Sequence, residues 1–360
     1  MIGQKSPLEP AAALAWFLPD AALVRLDPLG QGNINDTWRV ELTGGRRLVL
    51  QRLHPEVFPD PGMVMANVRT VTAHLGQVRE PGISFFQLVC TPQGHHHCFD
   101  PAGKCWRLLT HIDHSRTLAQ VRTPQQARTI GSLLGLFHLL TAELDPQTLV
   151  DPLPHFHCTP WYLDHYDRLP KAQHSENQEE RFCRDLIEAL RPIVALLEEA
   201  RDRLSVRVIH GDPKAANFLF AEDEDRAISL IDFDTVKPGL LLYDLGDCLR
   251  SCCNPLGEAS TEPGATVFDL DLFQALMAGY VGQAAHLLTL GDRELLVAAT
   301  ALISFELGLR FFSDHLTGDR YFKVGQHGDN LHRALVQFHL HLSIRDQQTN
   351  LEQRLARLFP

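Results

Sequence analysis

The stretch His210-Gly-Asp-Pro-Lys-Ala-Ala-Asn217, followed after a short gap by Ile231-Asp-Phe-Asp234, constrains this chain more than any other. The apolar run Val206-Arg-Val-Ile209 leads into it and predicts a short buried strand. The motif itself, rich in Gly, Pro and Asn, predicts a loop. Leu219-Phe220 and Ile228-Ser-Leu-Ile231 flank the acidic turn Glu222-Asp-Glu-Asp225 and predict a small hairpin. A strand, loop and hairpin in this order gather Asp212, Asn217 and Asp232 at one end.

That grouping has a chemical use. Phosphoryl transfer from ATP needs one carboxylate to orient and deprotonate the attacking hydroxyl, and oxygen ligands to hold Mg2+ against the phosphates. Asp212 and Asn217 have the Asp-x-x-x-x-Asn spacing of a kinase catalytic loop. Asp232, at the end of the following strand, takes the place of the metal-binding Asp. Mg2+ keeps waters and phosphate oxygens, so one Asn and one Asp suffice. Polar loops capped by Asp and Asn also occur without chemistry, but the two motifs together, in this order, favour the catalytic reading.

Composition bounds the rest. A chain of 360 residues, 44% hydrophobic and 21% charged, suggests two lobes, each with its own core. A net charge of -11 argues against a general nucleic-acid binder, which needs a basic face. No apolar run is read as membrane-spanning, and the N-terminus lacks a signal-peptide pattern. The expected setting is cytoplasmic, without membrane or nucleic-acid partners. Eight cysteines without a repeating spacing predict free thiols. His95-His-His-Cys98 has metal-binding residue types but falls where a hairpin turn is expected.

Along the chain, residues 10–17 predict a short helix. Leu29 to Val40 predicts a glycine hairpin in which Gly30 and Gly32 let backbone N–H groups approach phosphate oxygens, with Asn33 and Asn35 adding donors. Gly44-Gly45 turns into a strand ending near Leu53. Arg52 is the candidate for the cation that neutralises ATP phosphates there, with Arg47 second. A helix over Met63–Leu75 follows and offers no mid-helix acid to pair with Arg52. Residues 83–111 predict two or three antiparallel strands, and Leu108–Ile112 a crossing into a second lobe. The expected domains are therefore 1–110 and 111–360.

Thr123-Pro124 has the form of a helix start, with Ala127, Ile130, Leu134 and Phe137 on one face. Trp161, Tyr162 and Tyr166 follow an irregular stretch and suit either sugar stacking or core packing. Phe182–Leu204 reads as helix, kinked or restarted at Pro192. Asp244 is read as the structural cap of the helix it opens. Residues 265–358 are helical in pattern and include Arg310 on an otherwise apolar element. A charge there is costly unless it is paired or faces a site, and both readings stay open.

The order glycine hairpin, strand cation, helical lobe, His-Gly-Asp-x-x-x-x-Asn and Ile-Asp-x-Asp resembles the aminoglycoside phosphotransferase and choline kinase family. Gly32-Asn-Ile-Asn-Asp-Thr37, Asp232-Phe-Asp-Thr-Val-Lys-Pro-Gly239, Tyr243-Asp-Leu-Gly-Asp247 and Gly318-Asp-Arg-Tyr-Phe322 resemble, more narrowly, its N-acetylhexosamine 1-kinases. The resemblance implies an α+β, protein-kinase-like bilobal fold with a small antiparallel-sheet N-lobe and a larger, mainly helical C-lobe. It implies Asp212 as base for a sugar hydroxyl, the anomeric one, and Lys214 beside it steadying the transferred phosphate. Asn217 and Asp232 would hold Mg2+. Asn33 would sit near phosphate, and Asn35, Asp234 and Arg310 would sit near the sugar. Kinases of other small alcohols, such as an aminoglycoside or choline, and a non-catalytic nucleotide-binding regulator are the alternatives.

Overall fold

A computed structural model of the chain describes residues 8–29, 34–78, 80–169 and 177–359. The N-terminal part contains α1 (Pro10–Phe17), β1 (Leu23–Pro28), β2 (Asp36–Leu42), β3 (Arg47–Arg52), α2 (Pro61–Leu75), β4 (Leu88–Val89), β5 (Cys98–Phe99) and β6 (Cys105–Thr110). The strands form one antiparallel sheet in the order β1-β2-β3-β6-β4, with β5 also on β6. Side chains alternate between its two faces. Leu48 and Leu50 of β3 and Trp106 and Leu108 of β6 lie on the outer face and pack with Ala13, Leu14 and Phe17 of α1. Val49, Cys105 and Leu109 lie on the other face, toward α2.

The remainder contains β7 (Ser115–Thr117), α3 (Pro124–Thr141), α4 (Thr159–Asp167), α5 (Gln178–Leu190), α6 (Leu196–Glu199), β8 (Val206–Ile209), β9 (Phe218–Ala221), β10 (Ala227–Leu230) and β11 (Lys237–Leu240). It closes with α7 (Leu241–Cys252), α8 (Leu270–Ala284), α9 (Leu290–Leu316), α10 (Asp329–Asp346) and α11 (Gln348–Ala356). An antiparallel-sheet lobe followed by a larger helical one is the α+β arrangement expected. Thr123 caps α3 through a capping box with Gln126. Pro192 neither kinks nor restarts a long helix: α5 stops at Leu190 and the chain continues in short 3-10 turns and the four-residue α6.

Two small sheets frame the motif loops, β10-β9-β7 and β8-β11. Beneath them α3 and α8 meet backbone to backbone. A Cβ on Gly131 would lie 1.9 Å from the Leu276 carbonyl oxygen, and one on Gly279 would lie 2.0 Å from that of Arg128. The helix α9 corrects one expectation, since its best 18-residue window (mean hydropathy 1.8) is apolar enough to span a membrane. That window is 83% buried, however, and α9 serves as the central core helix. The main core runs on from Val64, Val68 and Val71 of α2 into Phe137, Phe218 and Phe233. Asn67 of α2 stitches this junction, donating to the carbonyls of Val150 (2.7 Å) and Val236 (2.8 Å) and accepting from Val150 N–H (3.1 Å).

Candidate active site

The antiparallel pair β8–β11 delivers residues 210–217 and 232–236 to the same place. At Gly211 the backbone is left-handed (φ 89°), and a Cβ there would lie 2.6 Å from the carbonyl oxygen of Thr235, so only glycine fits. The loop is then fastened by hydrogen bonds along most of its length. Asp244, fully buried, accepts from the backbone N–H groups of His210 and Gly211, both at 2.7 Å. It also lies 2.9 Å from His138 Nε2. Its carboxyl is buried, but these donors outweigh the desolvation and hold its pKa below the usual range. Asp244 is thus the anchor of the preceding loop, whereas its own helix α7 has no side-chain cap.

His210 reaches the Ile231 carbonyl with Nε2 (2.9 Å) and takes the Asp212 N–H on Nδ1 (3.2 Å). That pairing suits the neutral ring, in line with burial lowering its pKa. His157, with φ 68°, donates Nε2–H to the Gly211 carbonyl at 2.7 Å and lies 3.3 Å from Glu306 through Nδ1. With an acceptor at both nitrogens the ring is best satisfied when protonated. Its pKa is raised accordingly, the Glu306 carboxylate overcoming burial.

The loop so held carries the candidate catalytic side chains. Asp212 Oδ2 lies 2.5 Å from Lys214 Nζ. Burial disfavours the Asp212 charge, but the adjacent ammonium outweighs it, and Asp212 stays ionised with a lowered pKa. Asn217 Nδ2 donates to the Asp212 carbonyl at 2.8 Å and approaches Asp212 Oδ2 at 3.3 Å. Its own carbonyl accepts from Ile231 N–H at 2.9 Å, which sets Asp232 beside it.

Asp232 is a non-glycine residue in the left-handed region, φ 68°. Burial and the Asp234 carboxylate push its pKa up to about 7, with Lys214 pulling the other way. Among the described residues neither Asp232 nor the Asn217 Oδ1 atom has a hydrogen-bond partner. A left-handed carboxylate short of positive charge, next to a free amide oxygen, fits a hard, oxygen-seeking cation such as Mg2+.

The structure places Arg52, the candidate cation, on the outer face of the sheet with Leu50 and Trp106. It pairs there with Asp36 (2.7 Å), its Cζ 5.7 Å from the Trp38 ring and 5.3 Å from that of Trp106. Arg47 pairs with Asp113. On the inner face Gln51 stands opposite Arg107 of β6, and Arg107 Nε donates to Gln51 Oε1 at 2.9 Å. Arg107, 1% exposed, lies 2.5 Å from Asp234 Oδ1. The other Asp234 oxygen accepts from Asn35 Nδ2 at 2.6 Å, and Asn35 Oδ1 accepts from His54 N–H at 3.0 Å. Asn35 and Asp234 are therefore brought together, each fully engaged. Gly30, Gly32 and Asn33 lie outside the described residues.

Arg310, projecting from α9, is caged by rings. Its Cζ lies 5.0 Å from the centroids of both Phe156 and Tyr162 and 5.6 Å from that of Phe322. Among the described residues it makes no hydrogen bond or ion pair. Burial works against its charge, yet its pKa is raised, with Tyr162, Tyr321, Glu306 and Asp212 as the contributing neighbours.

Sequence reasoning passed over Arg107, His157 and Asn67. Arg107 carried a signal: one charge inside the apolar run Cys105-Trp-Arg-Leu-Leu, costly for the same reason as Arg310. His157 and Asn67 carried none, since both act through backbone groups distant in sequence.

A two-lobed fold with this loop, and a carboxylate pair across a short hairpin, defines a small-molecule kinase. Residues 25–276 match the model of the phosphotransferase enzyme family, and the chain belongs to that family. Solved structures agree on the fold. An aminoglycoside phosphotransferase from Alicyclobacillus acidocaldarius is 16% identical with TM-score 0.63, each chain covered over 98%. A microcompartment-associated aminopropanol kinase is 17% identical with TM-score 0.60, over 96% of this chain and 98% of that one. A choline kinase from Cryptosporidium parvum is 12% identical with TM-score 0.58, over 93% of both.

Proposed function

We propose that this protein is an ATP- and Mg2+-dependent kinase of a sugar hydroxyl, with the anomeric 1-OH of an N-acetylhexosamine as acceptor. The observation that carries the substrate class is Arg310. A permanent cation that makes no ion pair among the described residues, in an aromatic cage and within electrostatic reach of Asp212, repels a cationic acceptor. It suits one that offers hydroxyl or amide oxygens. Aminoglycosides and choline would call for free carboxylates instead, and Glu306 is engaged by His157 and Thr159.

In this reading Asp212 accepts the proton of the attacking hydroxyl. Lys214 keeps Asp212 ionised and places positive charge beside the transferred phosphoryl group. Asn217 and Asp232 hold Mg2+, which when bound neutralises charge on the phosphates. Gly30, Gly32 and Asn33 would meet the nucleotide. Arg107 rather than Arg52 supplies the cation on the site-facing side of the sheet, fixing Asp234 and, through it, Asn35. Those two position the hairpin and the metal loop.

The test is ADP release with a panel of N-acetylated hexosamines, aminoglycosides and choline, for the natural chain and Arg310→Met. The reading predicts turnover with the neutral sugars and a raised sugar KM in the variant, with the KM for ATP unchanged. Turnover confined to cationic acceptors would overturn it.

A further inference from the structure

We propose that His315, Asp319 and His327 form a binding site for a borderline divalent metal ion of the zinc class. One ligand atom of each lies within 4.8 Å of the others. His315 ends α9, Asp319 sits in the tight turn behind it with φ 57°, and His327 stands just before α10. The turn is held largely by Asp314, whose backbone carbonyl accepts from Asp319 N–H at 2.9 Å. Asp314 accepts from the backbone N–H groups of Arg320 (2.9 Å), Tyr321 (2.8 Å) and Phe322 (2.9 Å) and from the Asn330 amide (2.9 Å).

Within the cluster each group is set for coordination. Asn330 also donates to Asp319 Oδ1 at 2.9 Å, orienting that carboxylate, while Oδ2 lies 2.6 Å from His327 Nδ1. His315 Nε2 faces Glu180 at 3.4 Å, and its other nitrogen, Nδ1, is buried with no partner. A buried ring nitrogen without a partner is a loss that coordination would recover. The two imidazole centroids are 5.1 Å apart. Two rings on one tetrahedral ion, with Zn–N bonds of about 2 Å, give about 5 Å. Two imidazoles and one carboxylate suit Zn2+ or Co2+ rather than Mg2+, and leave a position for water. A metal here would tie the end of α9 to the loop carrying Phe322, one wall of the Arg310 cage.

The test uses the full chain, free of any affinity tag and stripped by a chelator. Zn2+ is titrated by calorimetry and Co2+ is followed by its visible absorption, beside His327→Ala and Asp319→Asn. The His327 side chain is 73% exposed, so its removal does not endanger the fold. The proposal predicts one ion per chain that depends on this cluster, tetrahedral-type cobalt bands, a rise in Tm with Zn2+, and affinity of that ion weakened about 10-fold or more in both variants. No uptake at micromolar metal would overturn it. So would uptake unchanged in both variants, which would place the ion elsewhere, on the Asn217–Asp232 pair or on the less buried thiols.

Discussion

Asp232 shows how much one side chain is made to bear. The buried neighbourhood and Asp234 hold its pKa at about 7 against an ordinary 3.8. A carboxyl raised on folding favours the native state fully below the lower value, and that contribution is lost as pH rises through the upper one. In the ligand-free protein, Asp232→Asn is therefore expected to stabilise, with a denaturation-midpoint gain larger at pH 8 than at pH 6. Metal binding needs the ionised form. Calorimetry of Mg2+-nucleotide binding near pH 6.5 in buffers of different ionisation enthalpy should thus show proton release, absent in Asp232→Asn.

Arg107 and Arg52 offer a paired comparison at the same scale. Removing Arg107 leaves Asp234 buried without its ion partner, a loss of about 3–5 kcal/mol. Arg52 is a half-buried partner of Asp36, and its replacement should cost about 1 kcal/mol or less. Urea unfolding of Arg107→Met and Arg52→Met would show the difference, and equal losses would contradict the assignment of the inner-face cation.

At the scale of elements, the parts legible in the sequence are those with local signals. The strand before the motif, the 218–230 hairpin and the Thr123 cap each announce themselves within a few residues. What was not legible is which face of a strand looks toward the cleft. Alternation puts Arg52 and Gln51 on opposite sides, but only the packing of α1 on Leu48 and Leu50 decides which side is outer. Asp244 was misread for a related reason. It looks like a helix cap, and its partners are N–H groups some 33 residues earlier. The end of α5 at Leu190 reflects Pro192, whose missing N–H stops the helix. The α3–α8 crossing allows a sharp check. Gly279→Ala must push the two backbones apart and is expected to cost about 1–3 kcal/mol or more, read as a fall in Tm.

On the scale of the whole molecule, the sequence suggested two lobes each with a private core, and the structure departs from that. The outer face of the sheet has its own small core, but α2 belongs to the large one that fills the helical lobe. Asn67 adds polar contacts across the same junction. The lobes are therefore expected to unfold together. Tryptophan fluorescence, dominated by Trp16, Trp38 and Trp106 on the sheet side, should give the same midpoint as far-UV circular dichroism, which reports the helices. Separate midpoints would show that the junction does not couple them.

The central proposal is that Asp212, ionised beside Lys214, hydrogen-bonded to Asn217 and grouped with Asp232, drives phosphoryl transfer to a sugar hydroxyl. Phosphorus NMR of a reaction with ATP, Mg2+ and N-acetylglucosamine or N-acetylgalactosamine tests it most directly, with Asp212→Asn in parallel. The account predicts a new sugar 1-phosphate resonance, formed about 10²–10⁴-fold more slowly by the variant. A resonance that grows equally fast with Asp212→Asn, or ATP that stays intact with every sugar, would contradict it.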